Sequence, residues 1–251
     1  MAMNSRRSSL LPAASLATVR TPHVTVLVDY RTGEMVMLTG DALTMWLAHL
    51  AGDSDPLREL TPDNVTAVTR QFVERRWLVD CARRPARTAR AVEAAAVSWG
   101  TQEIPAQLNP PGPSPWRWRL AGFAAVLVTL LARQLGSRRG RFSRLVYLAL
   151  LGRWLPPAST RQARHAVRAV RWAARFVPAR VACLEESVSA ALLLAVTGRR
   201  AGWCHGIAVD PIRLHAWIAD SAGHPIEEPT DTDRYTPIGP DPADRRKGGR
   251  S

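Results

Sequence analysis

Cys183-Leu184-Glu185-Glu186-Ser187 begins the stretch of sequence that decides the fold of the C-terminal half. Apolar residues recur at helical spacing as far as Ala195, and Gly198 is a typical C-terminal stop. The pattern therefore predicts a helix over residues 183–197. A cysteine at the start of a helix lies beside free backbone N–H groups and the positive end of the dipole, and both favour its thiolate form.

Two short segments after this helix have the composition of neighbouring strands. They are Trp203 to Val209 and Leu214 to Ala219, and both are apolar or alternating. On the second segment His215 shares a face with Trp217, because alternate residues of a strand point to the same side. We therefore expect the imidazole to point toward the beginning of the Cys183 helix, where it can act as a general base.

The third chemical group is a carboxylate that follows shortly after His215. Glu227 or Glu228 can orient the imidazole and support its charged form. A thiol, an imidazole and a carboxylate in this order are the parts of a cysteine-nucleophile active site. The alternative is purely structural, because free cysteine is often buried and a histidine on a strand is often a hydrogen-bonded core residue.

Four stretches resemble the leader peptidase of lasso-peptide biosynthesis, the B protein: Cys183-Leu184-Glu185-Glu186-Ser187, Trp203-Cys204-His205-Gly206-Ile207, Leu214-His215-Ala216-Trp217-Ile218 and Gly223-His224-Pro225-Ile226-Glu227-Glu228-Pro229. The resemblance implies a papain- or transglutaminase-related fold with a Cys-His-Asp or Cys-His-Glu triad. Carried over by residue, Cys183 matches the nucleophile and His215 the base. Glu228 matches the third member because it stands just before a proline, and Glu227 is the alternate.

A separate small domain is predicted before this region, because residues 22 to 80 read as strand, turn, strand, helix and helix. The pattern fits a generic winged-helix fragment, which could bind nucleic acid, and it also resembles the PqqD-type precursor-recognition domain. The segments are His23 to Tyr30, the turn Arg31-Thr32-Gly33, Glu34 to Leu38, a helix from Gly40-Asp41 that carries Trp46, and a helix from Thr61-Pro62-Asp63.

The PqqD resemblance implies that a precursor's leader adds as a strand beside Glu34 to Leu38 and under the helix of residues 62–76. Backbone hydrogen bonds would then give affinity, and side-chain pockets would give selectivity. The alternative for the apolar side chains is an ordinary core position. The candidate leader contacts are Met35, Val36, Met37, Phe72 and Arg75.

The predicted fold class is α+β, with a small winged-helix-like (PqqD-like) domain followed by a papain/transglutaminase-like cysteine peptidase domain. A run of prolines near residue 110 favours a linker between them. The predicted divisions are a flexible arm at 1–20, the recognition domain at 21–82, a linker at 83–115, the peptidase domain at 116–238 and a disordered tail at 239–251.

The two resemblances together imply a leader peptidase that binds a precursor's leader and cleaves it from the core peptide. The implied partners are the precursor peptide and an ATP-dependent, asparagine-synthetase-like cyclase. No cofactor of this chain is evident, and ATP would act through the cyclase. Two alternatives stay open: a transglutaminase-type acyl transfer to an amine, and a non-catalytic peptide-binding adaptor in which Cys183 is buried.

Charge is distributed unevenly along the chain, whose net charge is +13. No Asp or Glu lies between Glu103 and Glu185, whereas arginines are frequent there. Such a region attracts an anionic partner, although a solvated cationic helix face over Arg161 to Phe176 is the simpler interpretation. The apolar runs Leu120 to Ala132 and Leu145 to Leu151 are predicted as buried helices, with peripheral membrane contact left open.

The remaining composition favours a cytoplasmic protein. Cys81, Cys183 and Cys204 form no even disulfide framework, and no secretory signal is convincing because Pro12 interrupts the short apolar run after Arg6-Arg7. We expect no metal site, because paired Cys or His spacings are missing, and no phosphate-binding loop is present. We expect no nucleic acid as a partner.

Overall fold

The computed structural model describes residues 10–20, 24–53, 55–80, 90–93, 112–209 and 212–238. The chain divides into two compact units, Met1–Ala94 and Ala95–Ser251. Strands and helices occur in both, so the architecture mixes the two kinds of element as the sequence predicts. The predicted tail at 239–251 lies outside the described residues.

The described part of the first unit combines a mixed sheet with helices. Its strands are β1 (Leu10–Pro12), β2 (Leu16–Arg20), β3 (Thr25–Asp29), β4 (Glu34–Leu38), β5 (Leu78–Asp80) and β6 (Arg90–Glu93), and its helices are α1 (Gly40–Ala51) and α2 (Pro62–Glu74). The main sheet has the strand order β4-β3-β2-β6, in which β2, β3 and β4 are antiparallel neighbours and β6 is parallel to β2. Strand β1 pairs with β5.

The β3–β4 hairpin forms because a β-branched run meets a turn with a glycine at its end. The amide of Gly33 donates to the carbonyl of Asp29 at 2.7 Å, and Gly33 has φ of 77°, a conformation that favours glycine. The Asp29 carboxylate accepts the backbone N–H of Arg31 at 2.9 Å. The predicted strand, turn and return strand are therefore confirmed, and β4 forms one edge of the sheet.

The core of the first unit contains three aromatic side chains packed among aliphatic ones. The Trp46 and Phe72 rings meet edge to face with centroids 5.7 Å apart, and Phe72 also contacts Trp77 at 5.9 Å. The buried indole N–H of Trp46 donates to the hydroxyl of Thr18 at 3.2 Å, so the polar group of this tryptophan is satisfied.

Two predicted divisions differ from the structure. Residues 10–20 of the expected flexible arm form β1 and β2, and the side chains of Leu16 and Val19 are buried. The reason is non-local pairing, because β2 gains β3 on one side and β6 on the other. Part of the expected linker is also structured, since β6 lies within 83–115. The end of that linker is part of the second unit, where the Ser114 hydroxyl donates to the carbonyl of His165 at 3.3 Å.

The second unit packs helices against a small antiparallel sheet. Its helices are α3 (Trp116–Gln134), α4 (Arg141–Ala149), α5 (Thr160–Ala174) and α6 (Cys183–Val196), and its strands are β7 (Gly202–Val209), β8 (Ile212–Ala219) and β9 (Thr236–Pro237). The sheet order is β8-β7-β9, and α6 contacts α3, α4, α5 and β8. The predicted helix at 183–197 and the two predicted strands after it are confirmed.

The apolar run Leu120 to Ala132 was predicted to be a buried helix, and α3, which contains this run, is buried on one face only. One of its faces is buried, with the hydroxyl of Ser189 on α6 donating to that of Thr129 at 3.0 Å. Other apolar side chains of α3, including Leu120 and Leu131, are exposed, so the helix is only half buried. Among the described residues, no helix combines the length and the apolar character needed to cross a membrane.

Candidate active site

Cys183 is the first residue of α6, and the preceding backbone turns into the helix from an extended conformation. Ala182 has φ of −94° and ψ of 176°, and its N–H donates to the Glu185 carboxylate at 3.2 Å. Glu185 also pairs with Arg133 on α3 at 2.8 Å, which fixes the first turn against the neighbouring helix. The thiol therefore lies at the positive end of a helix whose first turn is fixed by two contacts of Glu185, one with the Ala182 N–H and one with Arg133.

The structure brings His215 and Glu228 to this thiol. The Nε2 atom of His215 lies 2.9 Å from the Oε2 atom of Glu228, and the imidazole also hydrogen-bonds with the Cys183 thiol. Because Nε2 faces the carboxylate, Nδ1 is the nitrogen left for the thiol. The three side chains thus form a continuous chain from nucleophile to base to carboxylate.

The pKa values of the pair move in opposite directions. Burial raises the pKa of the Cys183 thiol, but the hydrogen bond from His215 and backbone donors at Ala216 and Leu184 outweigh it, so the net pKa is lowered. Burial lowers the pKa of His215, but Cys183 and Glu228 reverse this effect and raise it to about 9. Both shifts favour a thiolate beside an imidazolium.

Strand pairing holds the imidazole in its orientation. His215 on β8 lies opposite Gly206 on β7, and its ring stacks on that of Trp217 at 5.7 Å. A Cβ at Gly206 would come within 2.7 Å of the Trp217 ring, so glycine leaves the space that the tryptophan fills. Tyr235 closes another side of the imidazole, with ring centroids 5.2 Å apart.

The turn after β8 separates the two candidate carboxylates. Glu227 has φ of 57°, a left-handed conformation, and its carboxylate binds Arg168 at 3.1 Å and Arg164 at 3.1 Å. The Glu228 carboxylate lies against His215. Of the two residues left open by the sequence, Glu228 is therefore the one that the structure places against the imidazole.

Sequence reasoning missed Arg171, which joins the acidic residues around the site. Its side chain is 10% exposed, and its guanidinium binds Glu228 Oε1 at 2.8 Å and Glu186 Oε1 at 2.5 Å. It also donates to the backbone carbonyl of Glu227. Burial raises the pKa of Glu186, and the nearby charge of Arg171 opposes that rise. One buried cation therefore fixes the loop that carries Glu228 against α5 and α6.

The cationic face of α5 was interpreted as solvated, and this interpretation is wrong for Arg168 and Arg171, whose side chains are 24% and 10% exposed. Arg164, Arg168 and Arg171 recur at the i, i+4 and i+7 positions, which is one helix face. The face binds the acidic residues of the first turn of α6 and of the turn after β8. The sequence does contain a signal for these ion pairs. Three arginines lie on one helix face in an interval that holds no acidic residue, and carboxylates follow directly after that interval.

Replacing Arg171 by methionine is expected to lower the free energy of unfolding by about 3–5 kcal/mol, because Glu186 and Glu228 would remain buried without their cation. Arg175→Met is the matched control, since Arg175 is exposed at the end of the same helix. Urea unfolding followed by circular dichroism measures both. Equal losses in the two variants would show that the buried ion pairs do not stabilise the fold.

His205 and Cys204 are not members of the hydrogen-bonded chain of Cys183, His215 and Glu228. Burial, and then the charge of His215, lower the pKa of His205 to about 4, and its neutral ring stacks on Trp203 with centroids 6.1 Å apart. Neither Cys183 nor Cys204 forms a disulfide, and Cys81 lies outside the described residues. In the part of the chain that the structure describes, no group of three His, Cys, Asp or Glu side chains could hold a metal ion.

The predicted leader contacts are divided between surface and core. Met35 and Met37 are exposed on the edge strand β4, Met37 to 57%, whereas Val36 packs against the core. Phe72 is only 3% exposed, so its assignment to a leader contact is replaced by a core role, because it fills the space between two tryptophans. Arg75 remains at the surface and pairs with Glu34 at 2.6 Å.

Comparison with known families agrees with this geometry. Residues 125–239 match the family model of the transglutaminase-like superfamily, a range that includes Cys183, His215 and Glu228. No curated protein and no solved structure matches the chain. Enzymes of this superfamily are typically cysteine peptidases or acyltransferases. The second unit of the chain therefore contains a transglutaminase-like superfamily domain at residues 125–239.

Proposed function

We propose that this protein is the leader peptidase of a lasso-peptide, or ribosomal peptide, pathway and that Cys183, His215 and Glu228 are its catalytic triad. The observation that carries the proposal is the continuous hydrogen-bonded chain of these three side chains at the beginning of α6. The transglutaminase-like domain supports a thiol peptidase or an acyltransferase. Of these two activities, the resemblance of the motifs around the triad to the B protein favours peptidase activity in the form of leader cleavage.

In the first step the Cys183 thiolate attacks the carbonyl carbon of the scissile bond between leader and core. A carbon–sulfur bond forms, and the carbonyl electrons move to the oxygen. The backbone amide of Cys183 is our candidate donor to this oxyanion. The tetrahedral intermediate then collapses, the carbon–nitrogen bond breaks, and the His215 imidazolium gives its proton to the departing amine of the core peptide.

In the second step water hydrolyses the thioester that links the leader to Cys183. Neutral His215 takes a proton from the water, the carbon–sulfur bond breaks, and the leader leaves with a free carboxylate. Glu228 holds the imidazole in one orientation through both steps and supports its charged form. The starting thiolate–imidazolium pair is restored.

The pH profile of kcat/KM is expected to fall above pH about 9, because His215 then loses the proton that the leaving amine requires. The sign follows from the direction of the shift: a raised pKa keeps the imidazole protonated through neutral pH. Cleavage rates of a precursor peptide between pH 5 and 10 measure this alkaline limb. A rate that keeps rising above pH 9 would instead indicate an unassisted thiol that becomes ionised.

The first unit is proposed to capture the leader by adding it as a strand along β4. This strand is an edge of the described sheet and presents Met35 and Met37 outward. The Arg75–Glu34 pair fixes the end of α2 to the beginning of β4. A leader strand bound along β4 would therefore also lie beside α2. Edge pairing suits a disordered leader, because backbone bonds supply affinity without a preformed partner structure.

Met37→Glu is expected to weaken leader binding by about tenfold or more, because it places a charge on the apolar side of the proposed strand. Val79→Glu is the matched control, since Val79 is an exposed apolar residue of the same unit on the separate β1–β5 pair. Fluorescence anisotropy of a labelled leader peptide measures both affinities. Equal affinity of Met37→Glu and the wild type would exclude β4 as the capture edge.

The proposed reaction requires a substrate and a partner enzyme. The precursor peptide is the substrate, and the freed amine of the core peptide would be closed into a ring by a separate ATP-dependent, asparagine-synthetase-like cyclase. Such a ring closure must follow cleavage, because the amine does not exist before the leader is removed. ATP would be consumed by the cyclase and not by this chain.

Mass spectrometry of a precursor incubated with this protein, the cyclase and ATP in ¹⁸O-labelled water tests the proposed reaction. Hydrolysis predicts one leader fragment whose new carboxylate carries the label. Acyl transfer, the second activity that the superfamily supports, predicts instead a leader adduct when an amine is added. An intact precursor under both conditions would contradict both activities.

A further inference from the structure

Helix α3 has two faces of different character. Its inner face is made of small and buried residues, and a Cβ on Gly122 would come within 2.9 Å of the α5 backbone at Ala169. Its outer face is apolar and exposed, with Leu131 exposed to 60%. We call this outer face the α3 stripe, and its members are Trp116, Leu120, Ala124, Leu127, Val128, Leu131 and the following Leu135.

The α3 stripe is continuous. At 100° per residue, its members fall within an arc of about 120°, and from Leu120 to Leu135 they extend along about 22 Å of helix axis. Between these two residues the arc holds no charged side chain, because Arg133 lies on the inner side, where it pairs with Glu185. An apolar surface of this length on a protein in water marks an interaction site.

Arginines surround the α3 stripe. Arg117 lies on the same face at its beginning, Arg138 and Arg139 follow its end, and Arg180 lies across a groove that Leu127 and Leu131 help to form. These four arginines are exposed, and within the described ranges none of them has a carboxylate partner. The sequence adds no acid over the whole interval from Glu103 to Glu185.

We propose that the α3 stripe docks on an anionic membrane surface, with α3 lying in the plane of the interface. The apolar residues would enter the boundary of the acyl chains, while the arginines would reach lipid phosphates. Trp116 at the rim suits this position, because tryptophan favours the headgroup level. A second copy of the chain fits less well, since two stripes facing each other would bring their flanking arginines together.

Flotation with lipid vesicles tests this proposal on the full-length protein. Vesicles of phosphatidylcholine with about 30 mol% phosphatidylglycerol are compared with phosphatidylcholine alone, at about 0.1 M salt. The wild type should bind the anionic vesicles, and Leu131→Glu should reduce the bound fraction roughly tenfold or more. Val196→Glu is the matched control and should bind like the wild type, because Val196 is an apolar residue exposed to 78% on α6.

A second variant separates charge from apolar insertion. Arg138→Gln with Arg139→Gln should weaken binding to anionic vesicles about tenfold. Circular dichroism melting of each variant establishes that it is folded. Three results would overturn the proposal: no binding of the wild type to anionic vesicles, equal binding of Leu131→Glu, or a dimer in light scattering without lipid that Leu131→Glu abolishes. The last result would assign the α3 stripe to an interface between copies.

Discussion

Replacing Cys183 by alanine is expected to abolish leader cleavage, with a fall in rate of at least ~10⁴-fold, because no other group in the triad can form the acyl intermediate. Leader binding should be retained, since capture is assigned to the first unit. Time courses of precursor cleavage by mass spectrometry measure the rate, and anisotropy of the labelled leader measures the binding.

Cys204→Ala is the matched control for this experiment. Cys204 is also a half-buried cysteine outside any disulfide, but it lies on β7 and is not part of the triad. Its replacement should leave cleavage within a few-fold of the wild type. Loss of cleavage in Cys204→Ala with retention in Cys183→Ala would reverse the assignment of the nucleophile.

Glu228→Gln is expected to lower kcat by about 10³-fold, because the amide no longer supports the charged imidazole and no longer pairs with Arg171. The alkaline limb of the pH profile should also move below pH 9, since Glu228 contributes to the raised pKa of His215. A variant whose only defect is lower stability would also lose activity, but the alkaline limb of its pH profile would stay in place.

Glu227→Gln provides the adjacent control. Its carboxylate pairs with Arg164 and Arg168 and does not contact His215, so kcat should fall less than tenfold and the alkaline limb should stay in place. Precursor cleavage at saturating substrate across the pH range compares the two variants. A larger effect at Glu227 than at Glu228 would contradict the orientation of the turn.

Much of the second unit could be predicted from local sequence signals. The helix that begins at Cys183 and the strand that carries His215 are each specified by their own periodicity, and the structure confirms both. Their approach could be inferred only from the chemistry of a thiol and an imidazole. The choice between Glu227 and Glu228 depends on a left-handed residue in the turn, and the sequence holds no glycine there to reveal it.

Other features depend on contacts between residues far apart in sequence. Strand β2 was assigned to a flexible arm because its neighbours, β3 and β6, cannot be recognised from its own five residues. Phe72 was predicted to bind leader because an aromatic residue on a helix face suits a pocket as well as a core. Arg171 looked like a surface cation because its acidic partners lie 15 and 57 residues further along the chain.

The most direct test of the account is the rate at which iodoacetamide alkylates Cys183 at pH 6, followed by peptide mapping in the wild type and in His215→Ala. An ordinary thiol is only about 0.3% thiolate at this pH. We expect Cys183 to react much faster than Cys204 in the same molecule, and His215→Ala to slow the reaction of Cys183 roughly tenfold or more. A Cys183 that reacts no faster than Cys204, or that keeps its rate without His215, would contradict the thiolate–imidazolium pair.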